Sequence, residues 1–433
     1  MTATSHAFPL QPALWAATAV SPRPIQVLEG PHQTEVCVVG GGFAGLSTAM
    51  HLARQGVKVA VLETHEPGWG ASGRNGGQVI PGLKYDPAEM RRVFGAERGE
   101  QLVRFAGATA DAVFDLIREY RMEVPHARAG WIQGAHTPAG VDLVRSRAEQ
   151  WHKEGVKGAV FLDRAATAQA LGTDCYLAGW LHPGGGAVQP LSYARELARV
   201  CEELGVMIWS HTPAKALERY GSRWQVTTAN GHTVSADQVV VCTNGYSGGL
   251  VPGIRESVIT PNSFQVATEP LDPQVAASIL PQGHVTSDTR QLLFYFRLDH
   301  QRRLLMGGRG PFREPKSDDD WAHLVRVMHT MFPQVRQVPI AFRWCGRVAL
   351  TRDFMPHLHE PQPGLLVNVG CMGRGVGLQT AMGRVMAEYV RTRDVGVLPL
   401  PLTGIKGIPL HRFRKVYLSM IIAWYRMRDG GLA

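Results

Sequence analysis

Between residues 35 and 63 the spacing of apolar positions changes twice. Glu35-Val36-Cys37-Val38-Val39 is a compact apolar run, rich in β-branched residues and too short for a helix. From Ala44 to Gln55 the apolar positions Leu46, Ala49, Met50 and Ala53 recur at helical spacing. Gly56 then stands where a left-handed residue stops a helix. Lys58 to Leu62 is a second β run, closing on Glu63. The pattern predicts strand, helix and strand in direct succession. A similar change recurs late in the chain, where a β run over Gly364–Val369 leads into a helical stretch from Leu378 to Tyr389. Between them, Val206–Ser210, Ser263–Thr268, Leu292–Leu298 and Arg303–Met306 read as short strands joined by polar turns.

Glycines sit at both strand-to-helix junctions. The first is Gly40-Gly41-Gly42-Phe43-Ala44-Gly45, a G-x-G-x-x-G arrangement. Gly40 permits a sharp turn, Gly42 leaves room for a pyrophosphate against the backbone, and Gly45 lets helix and sheet approach. The helix N-terminus offers unpaired N–H groups and a partial positive charge to phosphate. Glu63 ends the second strand, where a carboxylate accepts from ribose hydroxyls and repels a 2′-phosphate, which disfavours NADP. Strand, glycines, helix, strand and acid in that order mark a dinucleotide site.

Three features favour FAD over NAD. Gly70-Ala71-Ser72-Gly73-Arg74-Asn75-Gly76-Gly77-Gln78-Val79 is a loop rich in backbone donors and small residues. The late junction, Gly370-Cys371-Met372-Gly373-Arg374-Gly375-Val376-Gly377, can set a helix N-terminus against the flavin edge where negative charge grows on reduction. Neither Gly184–Gly186 nor Gly307–Gly310 completes a second fingerprint for a reducing nicotinamide.

Composition narrows the class. Of 433 residues, 45% are apolar, with 48 glycines and 28 prolines, which suits an α/β chain of two or three domains or an interleaved pair. The net charge of +9 is carried by dispersed arginines without interleaved aromatics, so nucleic acid is not expected. An anionic substrate or an anionic membrane surface accounts for it equally well. The six cysteines form no CxxC pair and read as buried thiols of a reducing cytoplasm. No window approaches the roughly 20 apolar residues of a membrane span. The first basic residue, Arg23, follows the Ala-rich piece Ala13–Val20, so residues 1–33 read as an extended arm and not a secretory signal. His411–Arg428 reads as a basic amphipathic helix, either packed on the surface or touching a membrane.

Together these residues resemble the D-amino-acid oxidase-like superfamily of FAD-dependent oxidoreductases. The glycine loop 70–78 is most similar to the branch containing γ-glutamylputrescine oxidase. The likeness continues through Gly184–Pro190, Thr212-Pro213-Ala214, Val241–Gly245, Trp344–Asp353 with Pro356, and residues 409–429. It implies that Phe43 and Ala44 meet the pyrophosphate, Glu63 and Thr64 the adenosine ribose, and Ala214 the adenine. It implies that Ala71, Ser72, Asn75, Gly76, Gly77 and Gln78 line the ribityl–flavin side. Met372, Gly373, Arg374, Gly375 and Val376 would cover the pyrimidine end. Gly370-Cys371-Met372 departs from the Gly-His or Gly-Tyr-Ser pattern of many relatives. Some relatives attach FAD through a cysteine; Cys345 lies in a comparable place but out of register, so non-covalent FAD is expected.

The expected architecture is an α/β, Rossmann-like FAD-binding domain in three pieces (34–105, 185–250 and 345–395). It is interleaved with an α+β substrate domain (106–184 and 251–344) bearing a mixed or antiparallel sheet, and followed by the basic segment 396–433. The expected chemistry is oxidation of a small amine or amino acid by hydride transfer from the carbon next to nitrogen, followed by imine hydrolysis. Electrons would pass to oxygen. Tyr295, Arg347 and Arg309 are the candidate substrate contacts. Two other readings compete: a membrane-associated amino-acid or hydroxy-acid dehydrogenase passing electrons to quinone, and a nicotinamide- or RNA-directed dinucleotide-binding protein.

Overall fold

In the computed structural model, which describes residues 13–428, the chain builds two eight-stranded sheets and a small three-stranded one. Strand β1 (His32–Val39) lies at the centre of the first sheet. It pairs in parallel with β2 (Val59–Leu62) on one side and with Thr233–Val241 on the other. The second half of Thr233–Val241 pairs in parallel with Leu365–Val369, while its first half is antiparallel to Arg223–Thr228. Helix α2 (Phe43–Ala53) returns the chain from β1 to β2. Gly56 adopts φ +81°, the left-handed stop expected of it. A doubly wound sheet with such a crossover presents its ligand edge at the strand C-termini.

The late helix starts at Gly375, three residues earlier than its apolar periodicity suggests, and runs to Thr392. It packs beside α2 at a contact that needs glycine: a Cβ on Gly383 would sit 2.4 Å from Ser47, whose hydroxyl donates to the Thr380 carbonyl at 2.8 Å. Leu46, Met50, Leu378, Met382 and Leu197 join one core beneath the first sheet.

The second sheet runs in the order Ile340–Arg347, Asn262–Thr268, Leu304–Arg309, Tyr295–Leu298, Val285–Asp288, Trp131–Ala135, Ala178–His182, Val160–Leu162. All its pairs are antiparallel except Val285–Asp288 with Trp131–Ala135. Phe264, Val266, Phe296, Met306, Met328 and Phe332 fill a second core behind it. Strict alternation therefore turns Ser263, Gln265 and Tyr295 toward the first domain.

Three expectations need correction. Ala13–Val20 is not extended: Leu14–Thr18 forms helix α1, with Leu14 and Trp15 buried against Leu191, Leu305 and Trp344. Burying a Trp and a Leu in a ready apolar seat outweighs the weak helix-forming tendency of so short a piece. Among the described residues of the arm, 19–31 run free of helix and strand, largely exposed, and residues 1–12 lie outside the described residues. Cys345–Arg347 belong to the second sheet and not to the nucleotide-binding part, because their strand pairs with Asn262–Thr268. Conversely, the helix Thr109–Glu119 joins the first core, placed there by the contact of Gly377 with the Thr109 carbonyl.

All six cysteines are free, and all but Cys175 are buried. Desolvation pushes the Cys37 and Cys242 thiols up to about 12. The C-terminal helix spans Arg414–Arg428. Among the described residues no helix is long and apolar enough to cross a membrane.

Candidate active site

Three parallel strands, β1, Thr233–Val241 and Leu365–Val369, end side by side, each in a turn on the same edge of the sheet. Gly40 follows β1 with φ +111°. A Cβ on Gly45 would lie 1.9 Å from the Gly40 carbonyl oxygen, so no other residue fits there. A Cβ on Gly42 would meet the Ser72 hydroxyl at 2.9 Å, and that hydroxyl accepts from the Phe43 amide at 3.0 Å. The following Ala44 and Gly45 amides fall in the first turn, where a helix has no acceptors of its own. Glu63 reaches back beneath this turn: Gly41 N–H donates to its Oε2 at 2.7 Å and His65 N–H to Oε1 at 2.9 Å. Burial raises the Glu63 carboxyl while these backbone donors pull it back down. Thr64 beside it is exposed. The Thr212 amide donates to the Glu63 carbonyl at 2.8 Å, which brings Ala214 close to the same turn.

The loop 70–78 crosses from this edge to the second sheet. Asn75 braces it internally, donating to the Ala71 and Ser72 carbonyls and accepting from the Gly77 amide at 2.8 Å. Gly76 must be glycine because a Cβ would enter the Tyr295 ring at 2.7 Å; on Gly77 it would strike the Val188 carbonyl at 2.3 Å. Gln78 donates to the Thr286 and Phe296 carbonyls, each at 3.1 Å, and its Oε1 is buried with no partner among the described residues.

The late turn follows Leu365–Val369. Gly370 donates its amide to Asn244 Oδ1 at 2.9 Å, which ties it to the end of the neighbouring strand. Met372 takes φ +47°, and its amide and that of Cys371 both donate to the Ala349 carbonyl at 3.1 Å. Gly373 is exposed, whereas Gly375 and Val376 open the late helix. Arg374 turns back to the Pro81 carbonyl and lies 5.2 Å from the Trp131 ring; desolvation lowers its guanidinium to about 9. With Thr233–Val241 between their strands, the first and late turns open about 10 Å apart on one edge. The cradle left by the glycines, the amides of two helix N-termini and a half-buried carboxylate with spare lone pairs fit a flavin nucleotide.

Residues 35–389 match the family described as FAD dependent oxidoreductase. The chain belongs to that family. It is 33% identical over 370 residues to the probable oxidoreductase OrdL of Haemophilus influenzae, covering 83% of each chain. It is 30% identical over 419 residues to the gamma-glutamylputrescine oxidoreductase of Escherichia coli, covering 96% of this chain and 97% of that one. The glycine oxidase structure from Geobacillus kaustophilus superposes with TM-score 0.74 at 21% identity, over 87% of this chain and 100% of that one. The fold is thus that of known FAD-dependent oxidoreductases, and the enzyme is one of them.

Against the glycine loop of this FAD-dependent oxidoreductase the second sheet presents a polar patch. The Tyr295 hydroxyl bonds Ser263 Oγ at 2.8 Å, and burial pushes its phenol well up. Its ring fills the space that a side chain on Gly307 would need. Arg309, two residues further along and paired across the sheet with Ser263, shares that face. Desolvation lowers its guanidinium to about 10, and among the described residues it has no acidic partner, only the Phe312 ring at 5.3 Å. Arg347 is already committed, to Glu314 at 3.0 Å and to the face of Tyr246. Cys345 pairs with Phe264, so its thiol joins the core behind the sheet; burial raises it to about 12.

Sequence reasoning passed over several of these groups. Gln265 and Trp344 both donate to the Arg74 carbonyl, at 2.6 and 3.0 Å. Lys84 is half-buried, lacks any hydrogen bond or ion pair among the described residues, and is lowered to about 7 by desolvation and by Arg374 and Arg147. An isolated Gln, Trp or Lys carries no local signal; only the fold brings them here.

Proposed function

We propose that this enzyme oxidises an amine or amino acid at the carbon bearing nitrogen, and that its substrate also carries a carboxylate. Bound FAD supplies the two-electron acceptor for that C–H bond. The Ala44 and Gly45 amides would hold the pyrophosphate beside Phe43, whose own amide is held by Ser72; Glu63 would hold the ribose, and the Ala214 backbone the adenine. Asn75 to Gln78 line the flavin side, and Met372 to Val376 set a helix N-terminus where it favours added negative charge. With the Cys345 thiol on the far face of its sheet, FAD is held without a covalent bond.

The observation that carries the substrate reading is Arg309, a half-buried cation with no acidic partner among the described residues, on the sheet face that covers the glycine loop. A substrate carboxylate supplies the missing charge, and bidentate pairing orients the amine. Tyr295 packs its ring against the glycine loop and, with the sheet, would keep water from the reacting carbon. The names borne by the relatives, gamma-glutamylputrescine oxidoreductase and the glycine oxidase of Bacillus licheniformis among them, agree with oxidation next to nitrogen. Anaerobic mixing with carboxylate-bearing amines should bleach the flavin's visible bands. Absence of bleaching with every polyamine conjugate, cyclic imino acid and D-amino acid tried would defeat the proposal.

Electrons then pass to oxygen in this reading. Quinone is the second candidate acceptor, favoured by one feature: Phe413, just before the C-terminal helix, and Val416, Met420 and Trp424 on it are exposed, in a stretch (His411–Arg428) that contains no Asp or Glu. Rapid reoxidation of the reduced enzyme by a quinone in anionic vesicles, with slow reoxidation by air, would decide for quinone and a membrane site.

A further inference from the structure

The peptide between Asn75 and Gly76 is held from behind by a residue outside both sheets. Four consecutive carbonyls of the glycine loop accept hydrogen bonds from five separate parts of the chain. Arg74 O takes Gln265 and Trp344; Asn75 O takes Trp15 Nε1 at 2.6 Å. Gly76 O takes Arg297 Nε at 2.7 Å, and Gly77 O takes the Val188 amide at 2.8 Å. Trp15 sits among these donors: its ring meets Trp344 edge-on at 5.8 Å, and the Arg297 guanidinium lies 5.0 Å over it. Helix α1 is in turn pinned by Gln189, which donates to the Trp15 carbonyl at 2.9 Å, and by Arg195, which donates to Val20 O at 2.7 Å.

In a trans peptide the C=O and the following N–H point in opposite directions. Pulling Asn75 O toward Trp15 therefore aims the Gly76 N–H away from α1. That amide has no acceptor among the described residues, whereas the neighbouring Asn75 and Gly77 amides do. We propose that Trp15 is a positioning residue for the flavin: it fixes the Asn75–Gly76 peptide so that the Gly76 N–H donates to the bound flavin ring. The inference rests on the placement of the glycine loop beside the flavin given above. A donor fixed in this way binds the more electron-rich, reduced ring better than the oxidised one.

The test compares Trp15→Phe, which removes the N–H and keeps most of the packing, with Leu14→Ala, which damages the seat of α1 and leaves the peptide contact in place. In W15F the preference for reduced over oxidised flavin should drop about three- to tenfold, a fall of about 15–30 mV in the two-electron midpoint potential. L14A should lower the thermal midpoint and leave the potential at the wild-type value. Flavin lost from W15F but retained by L14A supports the proposal as well. An unchanged potential in W15F, an equal shift in L14A, or flavin lost from both overturns it. A wild-type protein that never holds FAD would instead refute the flavin site itself.

Discussion

The first glycine turn and the roof sheet above it treat polar groups in opposite ways. Around the turn, the chain supplies partners for its own polar atoms: Glu63 takes the Gly41 and His65 amides, and Ser72 takes Phe43. On the roof sheet, Arg309 has no acidic partner among the described residues, and the Gln265 amide oxygen is buried with no partner among them. The turn is preformed for a ligand that stays; the roof keeps uncompensated charge for one that comes and goes. Leaving such groups unsatisfied costs free energy in the empty protein, which a substrate of matching charge recovers.

The sharpest way to break the contrast is to crowd the turn. Gly45→Ala places a methyl 1.9 Å from the Gly40 oxygen and should weaken FAD at least about 100-fold, giving a colourless preparation. Visible absorbance and a flavin titration read the effect; a yellow protein with normal affinity would mean that the turn yields more readily than its geometry implies. Glu63→Ala comes next, costing about 2–4 kcal/mol of FAD binding by removing charge-assisted hydrogen bonds.

On the roof side, Arg309→Leu should lower kcat/KM by about 1–3 kcal/mol for carboxylate-bearing amines, and little for amines without a carboxylate. An equal loss for both classes would remove Arg309 from substrate recognition. The smallest effect is on stability. Lys84 is lowered to about 7, below its value in the unfolded chain, so the unfolded state binds more protons from about pH 7 up to the ordinary lysine range. Stability should therefore rise with pH across that window, and Lys84→Met should remove that part of the rise. Superimposable melting profiles of the two proteins between pH 6.5 and 9 would show that Lys84 is ordinarily solvated.

Much of the first sheet was legible because β1, α2 and β2 are contiguous and their glycines have one steric use each. The late helix was legible from Leu378 onward; its first turn was not, since Gly375 and Gly377 look like breakers until the Thr109 contact is known. Helix α1 escaped notice for another reason. Five residues carry no period, and Trp15 is helical because of a seat built from Leu191, Leu305 and Trp344. The roof strands Trp131–Ala135 and Ala178–His182 are almost wholly buried, so they lack the alternation that identifies a strand. Tyr295 and Arg309 were found as residues, but their shared face follows only from the register with Ser263.

The buried cysteines bear on how long such an enzyme lasts. If oxygen is the acceptor, every turnover releases hydrogen peroxide within the molecule's own reach, and peroxide attacks thiolate far faster than thiol. Cys37, Cys242 and Cys345, each raised to about 12, stay protonated and inert at neutral pH. Desolvation thus makes them poor targets for the catalyst's own by-product, and the half-buried Cys175 is the first place to look for sulfenic acid after prolonged work.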